Sequence, residues 1–378
     1  MHYFSTRNNQ LKESFLNVLF QGLSKDGGLY LPNSWPSIDI KNLKNKTYNE
    51  TAYSIISPFV QNDISKNDLT SIINNTYKKF DNKNIAPLVN IKKDKYILEL
   101  FYGPTFAFKD YALQFLGNIF SHILNNNNNR KITILGATSG DTGSAAIEAF
   151  KGKSDIQVFI LHPHNMVSEV QRRQMTTVND NNIHNIAIKG TFDDCQKIVK
   201  QLFLDNDLQS YTSLTAVNSI NWARIIAQTV YYFWAYTQLE LKDKKPVNFI
   251  VPSGNFGNIF SARVASHMGL PINKLHIVTN ENDSLHKTIS KGNMEINNVK
   301  KTYSPSMDIQ ISSNFERQLF QSVNKDSNIV KKIMDSFNRT GKEKLSDQIV
   351  DDMKTVYKTH SVTNSQTLTT INNFNNNY

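Results

Sequence analysis

Ile132-Thr133-Ile134-Leu135-Gly136-Ala137-Thr138-Ser139-Gly140-Asp141-Thr142-Gly143 sets an apolar, β-branched run directly before a turn rich in Gly, Ser and Thr. The run predicts a strand, the turn a tight connection, and the Ala-rich residues 144–150 a helix. A second strand is expected at Val158-Phe159-Ile160-Leu161. The same order recurs twice. Residues 186–188 run up to Gly190, after which Thr191 and Asp194 have the spacing of a capping pair for a helix with Ile198, Val199, Leu202 and Phe203 on one face. Val247-Asn248-Phe249-Ile250-Val251 leads through Pro252-Ser253-Gly254-Asn255-Phe256-Gly257-Asn258 into a helix that stops at Gly269 with Pro271 beyond it, and His276-Ile277-Val278 follows as a strand. Strands alternating with helices predict parallel sheets. Right-handed crossovers then bring both Gly-rich turns to the carboxyl ends of strands, where open α/β folds gather ligands.

The first ninety residues differ. They read as a helix around 11–23, the turn Lys25-Asp26-Gly27-Gly28, and a Lys/Asn-rich helical stretch to about Asn84. With 378 residues the chain exceeds what one core usually organises. Three lobes are expected: a mainly helical one over 1–90, an α/β lobe over 91–245 and a second α/β lobe over 246–378.

Composition narrows the classes of function. A 39% hydrophobic fraction with 11% aromatics indicates a packed globular chain, and no run of about 18 apolar residues could cross a bilayer. Residues 1–7 lack the features of a secretory or transit segment, so cytoplasm is the default expectation. Cys195 is the only cysteine, which excludes an intrachain disulfide and a Cys-rich metal site; its place in an expected helix points to packing. The formal charge is +10, but the lysines are scattered and no basic cluster is interleaved with aromatics, so no nucleic-acid partner is expected. The excess charge helps attract anionic substrates. The asparagine run 125–129 reads as a surface loop.

Both Gly-rich turns would offer backbone N–H groups and a helix N-terminus to an anion, a phosphate cradle that requires no positive side chain. Neither has the closing Gly-Lys-Ser/Thr of a Walker loop or the spacing of a dinucleotide fingerprint. The plainer reading of Gly254 and Gly257 is a tight strand-to-helix turn. Gly103-Pro104-Thr105-Phe106-Ala107-Phe108-Lys109-Asp110 sets one lysine among aromatic neighbours at the start of an amphipathic helix bearing Leu113, Leu116, Phe120 and Leu124. A helix N-terminus and apolar surroundings both depress an amine pKa, which suits a lysine that forms a Schiff base. A solvated Lys-Asp pair is the other reading.

Residues 103–110, 137–143 and 252–257, in that order along the chain, resemble the threonine synthase family of fold-type-II pyridoxal-phosphate enzymes. The likeness runs from Tyr3 and Asp26-Gly27-Gly28-Leu29-Tyr30 through Val217-Asn218-Ser219-Ile220-Asn221-Trp222-Ala223-Arg224 to Ser304-Pro305-Ser306-Met307-Asp308 and Ser313-Asn314-Phe315-Glu316-Arg317. It covers nearly the whole chain, is nearest the longer, yeast-like branch, and implies a tryptophan-synthase-β-like α/β fold. The resemblance implies that Lys109 is the catalytic lysine, carrying the cofactor as a Schiff base and later shuttling protons. Ser253, Gly254, Asn255, Phe256 and Gly257 would bind the pyridoxal 5'-phosphate (PLP) phosphate through backbone amides. Asp141 would lie by the cofactor's 3'-oxygen, Ser139, Gly140 and Thr142 by the substrate carboxylate, and Asn218, Ser219 and Arg224 by the substrate phosphate, for which an Arg fork is suited. Without the resemblance, Arg224 reads as a surface ion-pair partner in a helix and Asp141 as an N-cap.

The activity so implied converts O-phospho-L-homoserine and water to L-threonine and inorganic phosphate. That is the reaction of a PLP-dependent carbon-oxygen lyase acting on phosphate, in threonine biosynthesis, without a metal, as a monomer or homodimer in the cytoplasm, and with no membrane or nucleic-acid partner. Two further readings stand beside it: a PLP-dependent dehydratase or lyase on the same fold, and a truncated, non-catalytic homologue. The second arises because family members continue into D-P-H-T-like and T-A-H-P-A-K-F-like stretches that are not found here, while residues 372–378 form an Asn-rich tail expected to be without structure. In the family the missing portion supplies closing structure and a hydroxyl facing the pyridine nitrogen.

Overall fold

The computed structural model describes every residue except 127–130, 204, 240–244 and 378. Among the described residues, two parallel sheets carry the three strand-turn-helix units. One has the order Ile183–Ile188, Ile156–Pro163, Ile132–Ala137, Ser213–Thr215, with Ile132 paired to both Ile156 and Ser213. The other places Ile272–Thr279 between Val247–Pro252 and Tyr357–Ser361. The strand Ile132–Ala137 feeds the helix Asp141–Phe150, Ile183–Ile188 feeds Phe192–Phe203, and Val247–Pro252 feeds Gly257–His267. Thr191 and Asp194 do form a reciprocal cap: Thr191 N donates to Asp194 Oδ2 at 2.7 Å and Asp194 N to Thr191 Oγ1 at 3.3 Å. Cys195 is buried against Leu135 and Leu161, a packing role.

The first ninety residues are less helical than their sequence suggests. Leu11 lies in the strand Asn8–Glu13, and the helix expected over 11–23 begins only at Phe15, where the Ser14 hydroxyl accepts from Asn17 N at 3.2 Å. Tyr3–Ser5 is the middle strand of an antiparallel sheet between Asn8–Glu13 and Tyr30–Pro32. Two of these strands have three residues each, too few to show a period; burial of Tyr3, Phe4 and Leu31 holds them. The Lys/Asn-rich stretch forms the helices Tyr48–Val60 and Lys66–Tyr77, the first opened by a capping box of Thr47 and Glu50.

The tail also departs from expectation, since Asn364–Asn377 is a helix. Thr363 and Gln366 cap it reciprocally, Thr363 N donating to Gln366 Oε1 at 2.9 Å and Gln366 N to Thr363 Oγ1 at 3.2 Å. Tyr303 N donates to Asn364 Oδ1 at 3.0 Å and ties the helix start to the body. Of the asparagine run 125–129, Asn125 and Asn126 end the helix Lys109–Asn126 and the others lie outside the described residues.

The helix Trp222–Thr237 is buried on every face from Trp222 to Tyr236, the pattern of a helix at the centre of a molecule. It packs against Tyr48–Val60, Lys109–Asn126 and Gly257–His267, so it fixes the helix of the candidate lysine relative to the helix that opens at Gly257. The buried Arg317 joins three segments at this centre. Its Nε donates to Tyr30 O at 3.0 Å, its second terminal nitrogen to Ile220 O at 2.7 Å, and its guanidinium lies 5.7 Å from the Trp222 ring.

Candidate active site

Lys109 is the first residue of the helix Lys109–Asn126, and its side chain is buried. Asp110 explains why the lysine turns inward. Fully buried, it accepts from Thr105 N and from Thr105 Oγ1, both at 2.8 Å, and folds the preceding loop beneath itself. Gly103 is required there because a Cβ would come within 2.4 Å of the Asp110 Cβ. Gln174 holds the other side of the loop by donating to Thr105 O at 3.1 Å. Phe106, at the tip, has a left-handed backbone and is 72% exposed.

Lys109 Nζ meets the first residues of a second helix, at 2.6 Å from Asp141 Oδ1 and 2.7 Å from Thr142 Oγ1. Burial pushes the ammonium below its ordinary pKa, Asp141 opposes that shift, and the charge of Arg224 adds to it. For Asp141, burial alone would raise the pKa. The Lys109 charge and hydrogen bond, with the Ser306 hydroxyl and the Thr142 amide, hold it below the usual range. Thr138 shapes this turn by accepting from Gly140 N at 3.0 Å and Gly143 N at 2.8 Å. Gly140, at φ 143°, has a backbone that side chains rarely adopt, and a Cβ there would lie 2.0 Å from Gln171 Oε1. Ser139 is half-buried beside it.

The turn from Ser253 to Gly257 is built as an anion cradle. Phe256 takes a left-handed conformation just before the helix Gly257–His267, which aligns successive amides at the helix N-terminus. Among the described residues the amides of Gly254, Asn255, Phe256 and Gly257 donate to no protein acceptor, and the buried Ser253 hydroxyl has no partner. The first amides of a helix have no intrahelical acceptor, so this turn presents its donors, with the buried Ser253 hydroxyl, where an anion can take them. A phosphate fits them, and the Lys109 amine is suited to an aldehyde, so these residues fit the phosphorylated pyridoxal that the sequence resemblance implies.

A third strip completes the site. Arg224 is not a surface residue: it is buried in the central helix, and desolvation pulls it down to about 10. One terminal nitrogen donates to Val217 O at 3.0 Å, while its buried Nε has no partner among the described residues. Asp141 and Arg224 lie near enough to act on each other electrostatically. Ser219 Oγ lies 2.8 Å from Ser313 Oγ, which also reaches Asn255 Oδ1 at 3.2 Å. Asn218 is exposed beside it. The structure thus brings Lys109, Asp141 and Thr142 into direct contact and links Ser219 to Asn255 through a residue to which sequence reasoning gave no role. Thr138, Asp110, Ser306 and the segment 312–314 were likewise without roles, although all but Ser312 lie in motifs that carry the family likeness.

Comparisons with known proteins bear on the whole chain. A model described as threonine synthase N terminus matches residues 2–77, and one described as pyridoxal-phosphate dependent enzyme matches residues 84–336. A threonine synthase of Pseudomonas aeruginosa is 45% identical over 374 residues, 98% of this chain and 79% of the relative. That of Saccharomyces cerevisiae is 43% identical over 397 residues, 98% of this chain and 77% of the relative. The solved structure of a PLP-bound threonine synthase from Brucella melitensis superposes with a TM-score of 0.94 at 42% identity, covering 99% of this chain and 81% of that one. The yeast threonine synthase structure gives 0.94 and 42%, over 100% of this chain and 79% of that one.

Proposed function

The chain belongs to the threonine synthase family, and on that premise we propose that it converts O-phospho-L-homoserine and water to L-threonine and inorganic phosphate, with PLP as cofactor. The observation that carries the reading is the buried Lys109 amine, held at 2.6 Å from Asp141 on the turn of a second helix.

Lys109 Nζ would hold the aldehyde end of the cofactor as a Schiff base, and the amides of residues 254–257 its phosphate, at the positive end of the helix Gly257–His267. When bound, the cofactor supplies an electron sink for negative charge at the substrate Cα. Asp141, kept ionised by its neighbours, would hold the Lys109 proton and orient the amine. Burial, by lowering the lysine pKa, favours the neutral amine that can take the Cα proton and then serve at Cβ. Ser139, Gly140 and Thr142 would bind the substrate carboxylate. Asn218, Ser219 and the free Nε of Arg224 would receive the γ-phosphate as it leaves. Water, the second substrate, would add at Cβ once the phosphate has left.

The test is stoichiometric release of phosphate and L-threonine from O-phospho-L-homoserine by the PLP-loaded protein. Pyruvate or 2-oxobutyrate as product would return the dehydratase reading, and bound cofactor without turnover the non-catalytic one. Cytoplasm and a monomeric or homodimeric state are proposed settings, checked by fractionation and light scattering.

A further inference from the structure

Ser313 stands where the two phosphate-binding strips meet. Its Oγ is 2.8 Å from Ser219 Oγ and 3.2 Å from Asn255 Oδ1, so one hydroxyl spans the substrate-phosphate strip and the cofactor-phosphate turn. The neighbouring residues hold it in place. Asn314, fully buried, donates from Nδ2 to Ser219 O at 3.2 Å and to Asn255 O at 3.1 Å, and reaches Ser313 Oγ at 3.5 Å. Its Oδ1 accepts from Arg317, and Ser312 Oγ donates to Gly254 O at 2.5 Å.

A serine hydroxyl has one hydrogen. Asn255 Oδ1 only accepts, so when Ser313 donates to it, the contact with Ser219 requires Ser219 to donate to Ser313. A phosphate oxygen also only accepts. With phosphate at Ser219, the Ser219 hydrogen goes to the phosphate, and the 2.8 Å contact survives only if Ser313 turns its hydrogen from Asn255 to Ser219. We propose that Ser313 is a positioning residue for the substrate's phosphate: binding reverses the Ser219–Ser313 hydrogen bond, and the donation from Ser313 aims and strengthens Ser219 as a donor. This inference rests on the functional reading of Ser219 and Asn255 given above.

The test uses the holoenzyme and its Ser313→Ala, Ser313→Thr and Ser313→Cys variants, with O-phospho-L-homoserine as substrate and inorganic phosphate as inhibitor. Ser313→Ala raises KM and the phosphate Ki together by about three- to tenfold, the worth of one neutral hydrogen bond. Its visible cofactor absorbance stays within about twofold, because the bond lies at the substrate phosphate and not at Lys109. Ser313→Thr keeps the hydroxyl and restores both constants. Ser313→Cys, a weak donor, falls between, and serves if the alanine variant does not fold. Unchanged KM and Ki in the alanine variant overturn the inference. So does a loss of kcat or of cofactor absorbance without a change in Ki, which marks a role in folding alone. A wild type that releases no phosphate overturns the functional reading and this inference with it.

Discussion

At the scale of the residue, Asp110 and Lys109 are neighbours with opposite fates. The lysine stood out only with its motif, since a Lys-Asp pair at a helix start, read alone, is more often solvated. Asp110 did not stand out, since its partners at Thr105 exist only once the loop has folded. Burial raises the Asp110 carboxyl from 3.8 to about 6, with the Thr105 hydrogen bonds opposing. A raised acid contributes stability that is present below its unfolded pKa and lost as pH rises through the folded one. From pH 4 to 7 the wild type should therefore lose about 3 kcal/mol relative to Asp110→Asn, at about 1.4 kcal/mol per pKa unit. Urea midpoints across that range check this, and parallel profiles for the two proteins would refute it. Replacing Lys109 by Ala should lower phosphate release by about a thousandfold or more, and should also lower the thermal midpoint because it leaves the buried Asp141 carboxylate without its countercharge.

At the scale of the element, legibility followed how local the stabilising contacts are. The three parallel units were readable because strand, turn and helix adjoin in the chain, and the Gly-rich turns mark their junctions. The strands Tyr3–Ser5 and Tyr30–Pro32 were not, because each is stabilised by a partner distant in sequence. The central helix shows no polar stripe, its whole circumference being covered. Close packing of helix on helix gives a sharp test at Gly117, where a Cβ would come within 2.4 Å of Ala149 O across the joint between Lys109–Asn126 and Asp141–Phe150. Gly117→Ala should cost about 1–3 kcal/mol by overpacking. Calorimetry reads it, and an unchanged or raised midpoint would show that the helices separate freely. His267, stacked on Trp35 at 4.9 Å, is pushed down to about 3 by burial. A depressed base contributes stability that is present above its unfolded pKa of 6.5 and is lost as pH falls toward 3. His267→Phe should flatten that part of the acid limb, and an acid limb as steep as the wild type's would refute it.

At the scale of the molecule, the N-terminal sheet is clipped to the helix Phe315–Ser322 by a pair that no reading of sequence could locate, 309 residues apart. Arg7 makes two hydrogen bonds to the Glu316 carboxylate, at 3.0 and 2.9 Å, and Thr6 adds a third at 2.6 Å. Glu316 is buried, so Arg7→Met leaves a carboxylate short of its countercharge and should destabilise the fold by about 3 kcal/mol. Chemical denaturation measures it. Glu316 adjoins Arg317, which holds Asn314 beside Ser219 and Asn255, so the clip and the site share one short segment. The proposed activity nevertheless turns on the amine at position 109. Borohydride reduction of the PLP-loaded protein, followed by peptide mass mapping, locates the lysine that holds the cofactor. The phosphopyridoxyl group is predicted on the peptide containing Lys109; its appearance on any other lysine, or on none, would contradict the account.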